Sequence, residues 1–448
     1  MKIRIGLLGV GTVGQGIMEL LRGQKSFFNK TLGFDFEVTG LCARREESLR
    51  AAMALLGREM SSPVLADSVN PFLTTDPLAL AAHPDIDVLL EVAGGEDAPR
   101  EAVVAALTAG KHVITANKAL LAKHGTELFP LAAKHHAFLG FEAAVGGGIP
   151  IIKTLQESLI GNDILGLACI INGTSNFILT QMTRDGESFP AALAQAQKLG
   201  YAEADPTFDI DGWDALHKVS LLASLAYGRH VDYRALHCEG IRGISSLDIA
   251  MAAELGFVVK LLGVVSQDPE GRVFAAVYPA LVEKSHQLAA VNGVLNAVYL
   301  KTSAVGPLLL TGAGAGKLPT ASSVLSDLVS LAGQLATGHP EPASLAWFSD
   351  QVSQTAHALK PMDELETEYF LRLTAKDRPG VLSKVTGILG EAGISIRSLT
   401  QNPEHDPDNV PIFITTHTVR HAQVRQALKR IDALEVITAK TEVLRFWR

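Results

Sequence analysis

Residues 200 to 218 read Gly-Tyr-Ala-Glu-Ala-Asp-Pro-Thr-Phe-Asp-Ile-Asp-Gly-Trp-Asp-Ala-Leu-His-Lys, placing five carboxylates, a histidine and a lysine between two apolar regions. Asp205-Pro206 and Asp211-Gly212 are turn signals, and from Trp213 onward Leu216, Val219, Leu222 and Ala223 recur at helical spacing. Asp214 and Lys218, four apart, then share one face of that helix, with Glu203 expected close by across the turn. A lone pair of this kind is ordinarily a surface ion pair. Here the neighbouring helix positions are apolar, and a charged cluster on a half-buried helix is costly unless it is paired or used. The run is therefore the candidate reaction centre.

Such a centre needs elements to hold a second reactant. The apolar stretch 3 to 8 runs into Gly9-Val10-Gly11-Thr12-Val13-Gly14, after which Ile17, Leu20 and Leu21 recur at helical spacing. In a strand, G-x-G-x-x-G, helix context the first glycine makes the tight turn, the second admits a pyrophosphate to the backbone, and the third lets helix pack on strand. A second strand, 36 to 42, ends in Ala43-Arg44-Arg45, where NAD enzymes usually carry an acid for the ribose hydroxyls. Arginine there suits a 2′-phosphate, so NADP is favoured over NAD, with Arg44 the chosen contact; a surface arginine at a helix start is the alternative. Strands at 86 to 92 and 112 to 115, alternating with a helix from Pro99 to Ala109, imply a parallel, doubly wound, Rossmann-type α/β sheet. Its crevice should receive Thr115 and Lys118 from the strand end Thr115-Ala116-Asn117-Lys118.

Glu142 and the glycines 146 to 148 form a turn that could offer hard oxygen ligands to a cation, or could simply be a tight connection into the next domain. A second glycine-rich turn, 312 to 316, precedes another helix, and its amides could meet phosphate or nicotinamide. Prolines and an acidic run mark a linker, after which 367 to 448 reads βαββαβ, a ferredoxin-like module. Its Asp377-Arg378-Pro379-Gly380 turn could hold a small amino acid, Asp377 taking the ammonium and the helix start after Gly380 the carboxylate; a plain surface turn competes.

Composition narrows the class. A formal charge of −8 without a basic run argues against nucleic acid, and charges or histidines interrupt the apolar stretches before they reach membrane-spanning length. Three scattered cysteines, Cys42, Cys169 and Cys238, suggest neither disulfide framework nor zinc site, and fit a reduced cytoplasm. The expected division is a dinucleotide domain over 1–140, rejoined at about 305–345, an α+β substrate and dimerisation domain over 141–305, a linker over 346–366, and the terminal module over 367–448.

With these segments in view the chain resembles the homoserine dehydrogenase family over nearly its whole length, the 200 to 218 run being the most specific match. The resemblance implies reversible reduction of L-aspartate 4-semialdehyde to L-homoserine with NADP or NAD, on the route to threonine, methionine and isoleucine. It implies that Glu203 and Asp214 bind the substrate, and that Lys118 and Lys218 act at the reacting oxygen, Lys218 as acid/base. Glu142, with the carbonyls of Val145, Gly147 and Ile149, would bind sodium, and Gly200 and Gly316 would touch the cofactor. The terminal segment resembles an ACT domain, which implies amino-acid feedback, most often by threonine, and a homodimer or homotetramer. Another NADP-dependent semialdehyde reductase, or a non-catalytic dinucleotide and amino-acid sensor, are the competing functions.

Overall fold

The structure, a computed structural model, describes residues 1–56, 71–338, 359–401 and 406–448. They divide into two compact units: Met1–Leu165 with Ser220–Tyr233 and Asn296–Ala356, and Gly166–Val219 with Arg234–Leu295 and His357–Arg448. The linker expected over 346–366 lies outside the described residues as far as residue 358.

In the first unit the apolar run at the start of the chain is strand β1 (Lys2–Leu8). With β2 (Asp35–Cys42), β3 (Phe72–Thr74), β4 (Val88–Glu91), β5 (His112–Thr115) and β6 (Leu139–Gly140) it forms a parallel sheet in the order β3-β2-β1-β4-β5-β6. The chain winds outward from β1 to one edge and then restarts at β4, so the carboxyl ends of β1 and β4 flank a topological switch point, the place where open sheets bind ligands. Ile3, Ile5 and Leu7 are buried with Ile17, Met18 and Leu21 of the helix Thr12–Gly23 and with Val324, Leu328 and Leu331 of the helix Lys317–Thr337. Each such side chain contributes about 1.5–3 kcal/mol by leaving water. Their alternation on β1 and helical spacing on the two helices put all of them on the facing sides.

The second unit is built on β7 (Ile164–Ile170), β8 (His237–Cys238), β9 (Phe257–Gln267) and β10 (Val273–Glu283), the last two a long antiparallel hairpin. Strands β11 (Leu295–Thr302) and β12 (Pro307–Ala313) lead back into the first unit. The short β13 (Glu366–Thr367) opens the terminal module of β14 (Tyr369–Ala375), helix Val381–Glu391, β15 (Ile396–Gln401), β16 (Val410–Thr416), helix His421–Ile431 and β18 (Ile437–Trp447), with β17 (Val419–Arg420) pairing β13. The expected βαββαβ order is present. Its sheet, β18-β14-β16-β15, covers one core of Leu371, Leu373, Val385, Ile414 and Val424.

One pairing was not readable from the sequence. Strand β18 also pairs in parallel with β10, Ala280 with Arg445 and Val282 with Trp447, so the strands of the second unit run continuously as β7-β9-β10-β18-β14-β16-β15 with β8 beside β10. Among the described residues no helix is long and apolar enough to cross a membrane.

Candidate active site and cofactor cleft

The 200 to 218 run folds as its turn signals predict: a short helix Thr207–Ile210, a turn through Asp211 and Gly212, then the helix Trp213–Tyr227. Lys218 and Asp214, one turn apart and buried, are joined at 2.7 Å. Lys218 Nζ also donates to the Ile171 carbonyl at 2.8 Å, at the carboxyl end of β7. The next residue, Asn172, starts the helix Gly173–Asp185, its carbonyl oxygen accepting the Ser175 amide at 2.8 Å. Its NH2 group donates to Asp214 at 2.8 Å and to Asp209 at 2.7 Å. Two carboxylates, one amide and one ammonium thus interlock where two helices begin. Burial, and then the neighbouring charge of Asp214, raise the Asp209 carboxyl above its ordinary range, against the pull of Asn172 and Lys218.

Sequence reasoning placed Glu203 beside the pair. Instead its side chain is exposed, while Gln197 holds its backbone carbonyl at 3.1 Å. The acid that shares Asn172 with Asp214 is Asp209, on the single turn Thr207–Ile210. The sequence placed a polar turn at Asn172 near the cleft and Asp209 within the 200 to 218 run, but gave neither residue a role of its own. Their available signal was a helix-capping asparagine at a strand end, and an acid five residues before Asp214.

In the first unit a cleft of about 830 Å³ opens at the switch point, lined by Gly9, Val10, Gly11, Thr12, Arg44 and Arg45 among others. Gly9 has φ +104° and a β-carbon there would lie 2.6 Å from the Ala93 backbone, so the turn fits under β4 only as glycine. A β-carbon on Gly14 would lie 2.2 Å from the Gly9 carbonyl oxygen, whereas one on Gly11 would meet nothing within 4 Å. The second glycine therefore leaves the backbone open, and no side chain caps the helix that follows. That combination fits a pyrophosphate. Val13 is half-buried, packed against the core. Arg44 is exposed at the rim.

Thr115 is buried, its hydroxyl donating to Glu91 at 2.5 Å and accepting the Asn117 amide at 3.0 Å. It shapes the turn from inside. Glu91, pushed up by burial, also accepts the Ala93 amide, tying the ends of β4 and β5 together; a lone acid closing an apolar strand was its sequence signal. Asn117 caps the helix Lys118–Lys134, at whose first residue Lys118 stands half-buried. Gly316 begins the helix Lys317–Thr337, and in the second unit Gly200 lies exposed after the helix Phe189–Lys198.

The Glu142 turn is buried from Glu142 to Gly147. The Glu142 carboxylate accepts the amides of Ile152 and Lys153 at 2.9 and 2.8 Å, Ser323 donates to the Gly147 carbonyl at 2.6 Å, and the Ile151 amide donates to the Ile149 carbonyl at 2.8 Å. Burial pushes Glu142 to about 7, with Asp327 adding to the rise. Asp327 is itself pushed by burial to about 6 and is paired with Lys153. In the terminal module a cavity of about 320 Å³ is lined by Asp377, Gly380, Gln401 and Ile412 among others.

Comparison with known proteins agrees with this geometry. Residues 9–142 match the family described as homoserine dehydrogenase, NAD binding domain, residues 150–329 homoserine dehydrogenase, and residues 369–436 the ACT domain. A homoserine dehydrogenase of Neisseria gonorrhoeae is 42% identical over 445 residues, 99% of this chain and 98% of that protein. One of Pseudomonas aeruginosa is 41% identical over 97% of this chain and 96% of its own length. The crystal structure of a homoserine dehydrogenase from Thiobacillus denitrificans superposes with a TM-score of 0.89 at 40% identity, covering 100% of this chain and 98% of that one. A hyperthermophilic archaeal homoserine dehydrogenase in complex with NADPH gives 0.61 at 29% identity over 75% of this chain and 98% of its own. With a glycine-turn cleft for a nicotinamide dinucleotide, a buried acid and lysine centre and a terminal ACT domain, the chain belongs to the homoserine dehydrogenase family of NAD(P)-dependent oxidoreductases.

Proposed function

We propose that the chain interconverts L-aspartate 4-semialdehyde and L-homoserine, using NADPH in preference to NADH, in the cytoplasmic synthesis of threonine, methionine and isoleucine. The observation that carries this is the buried Asp214–Lys218 pair, positioned by Asn172 and Ile171. The bound dinucleotide supplies the hydride. Lys218 uses two of its three N–H groups on Asp214 and Ile171, which leaves one, among the described residues, to point at the carbonyl oxygen and give up its proton as the alkoxide forms. Asp214 holds that ammonium in place. Glu203 and Asp214 bind the substrate, Glu203 from its exposed position supplying the carboxylate for the ammonium group, and Lys118 supplies a second cation for the reacting oxygen.

Thr12 and the backbone from Gly9 to Gly14 take the pyrophosphate, Arg44 takes the 2′-phosphate, and the turns at Thr115, Gly200 and Gly316 contribute backbone contacts. A charge-assisted bond of this kind contributes about 1.5–3 kcal/mol, so Arg44→Ala should raise the KM for NADPH about tenfold or more and leave that for NADH unchanged. Absorbance at 340 nm with the semialdehyde and each nucleotide measures both. No turnover with either nucleotide in folded protein would refute the function, and equal KM changes would refute the role of Arg44. Added threonine in the same assay tests feedback through the cavity at Asp377 and Gly380; turnover unaffected by threonine would remove that effector.

A sodium ion at Glu142 and the carbonyls of Val145, Gly147 and Ile149 fits the charge of the site, where two buried carboxylates share one lysine. It would have to use second lone pairs on oxygens already bonded within the chain. The thermal midpoint should then be higher in sodium chloride than in choline chloride at equal ionic strength; equal midpoints would remove the cation. The domain division proposed is 1–140 with 305–345, 141–305 and 367–448, in a homodimer or homotetramer.

A further inference from the structure

The terminal module grips residues 237 to 248, a segment that in turn touches the turn before Asp214. Arg445 of β18 is 1% exposed and grips both carboxylate oxygens of Glu239, one of them at 2.7 Å, with its guanidinium 5.2 Å from the Tyr278 ring centre. Glu239 is held a second time by His237 at 2.7 Å. Four residues beyond Glu239 the module takes hold again: Arg372 of β14 donates to the Gly243 carbonyl at 3.1 Å and to the buried Asp248 carboxylate at 2.7 Å. A β-carbon on Gly243 would lie 2.3 Å from the Glu442 carboxylate of β18.

The opposite side of the same segment grips the turn before the catalytic helix. The Ile241 amide donates to the Ile210 carbonyl at 2.8 Å, and Cys238 Sγ contacts the Asp211 carbonyl at 3.3 Å. Arg242 bonds the Asp211 carboxylate and, at 3.0 Å, the Thr207 hydroxyl. A β-carbon on Gly240 would lie 2.1 Å from the Ile210 carbonyl oxygen, so the two backbones touch with no side chain between them. Residues 207 to 212 carry Asp209, and Asp214 follows two residues later.

We propose that residues 237 to 248 form a strap through which the ACT module positions Asp209, Asp214 and Lys218, with Arg445, Glu239 and Arg242 as positioning residues. This rests on the roles given to Asp214 and Lys218 above. Misplacing a reacting group by about 1 Å can cost on the order of 100-fold in rate, so slackening the strap is felt in turnover before binding. Arg372 stands in the middle of β14, and the cavity at Asp377 opens just past that strand's carboxyl end, so an amino acid bound there would act on the strap through β14.

The test uses the full-length chain, with Arg445→Met, Glu239→Gln, their double mutant, Arg445→Lys and Arg242→Ala, beside Arg430→Ala, which removes an exposed ion pair of the module, as a control. Arg445→Met and Glu239→Gln should each lower kcat about tenfold while the semialdehyde KM stays within about twofold, the double mutant falling no further and Arg445→Lys recovering part of the loss. Unchanged kcat in folded single mutants, or losses that multiply in the double, would overturn the strap. Should Arg445→Met fail to fold, the half-exposed Arg242 carries the test: Arg242→Ala should lower kcat about threefold or more, and unchanged turnover overturns the proposal. Lys218→Ala assayed in parallel separates the two readings. Full turnover there refutes the reaction centre itself, whereas loss at Lys218 with none at Arg445 or Arg242 refutes the strap alone.

Discussion

Lys218→Met is expected to lower kcat by about 100- to 1,000-fold, the usual cost of losing one donor aimed at a developing oxyanion. Methionine keeps the length and the apolar stem, so packing in the helix Trp213–Tyr227 survives and the loss reports the charge and the proton. The KM for the semialdehyde should change far less, because other groups bind the substrate. The variant also leaves Asp214 buried without its ammonium partner, a loss of about 3–5 kcal/mol in stability softened by the Asn172 bond that remains. Steady-state kinetics with thermal unfolding on the same sample separates the two effects. A raised KM with kcat intact would remove Lys218 from the chemistry.

Gly9→Ala is expected to abolish tight dinucleotide binding and to destabilise the first unit by about 2–4 kcal/mol. The added methyl group meets backbone, the Ala93 N and Cα at 2.6 Å and the Val92 carbonyl carbon at 2.7 Å, and backbone cannot rotate away as a side chain can. At φ +104° the alanine is strained even where it is accommodated. Relief requires the Gly9–Gly14 turn to lift from β4, which moves the amides proposed to receive the pyrophosphate. Fluorescence titration with NADPH should show affinity at least about tenfold weaker; a variant that binds normally would mean that the turn is not the phosphate site.

The parts that were legible in the sequence are those set by short-range rules. Period and turn chemistry announced β1 and its glycine turn, the Trp213 helix and the βαββαβ order, and a four-residue spacing put Asp214 over Lys218. What could not be read depends on contacts between distant segments. Asn172 meets Asp214 across 42 positions, Arg445 meets Glu239 across 206, and the pairing of β18 with β10 joins strands that no local pattern connects. Glu203 shows the intermediate case. It lies near in sequence, but its side chain is exposed, and sequence spacing alone does not orient a side chain in an irregular turn.

The parallel contact of β18 with Ala280–Val282 means that the C-terminal module cannot be regarded as an appendage. Cut away, it would uncover the amides and carbonyls of Ala280–Val282 at the edge of β10, a strand whose residues from Val273 to Val282 are all buried. An edge of that kind recruits other strands, so a chain shortened there is expected to self-associate.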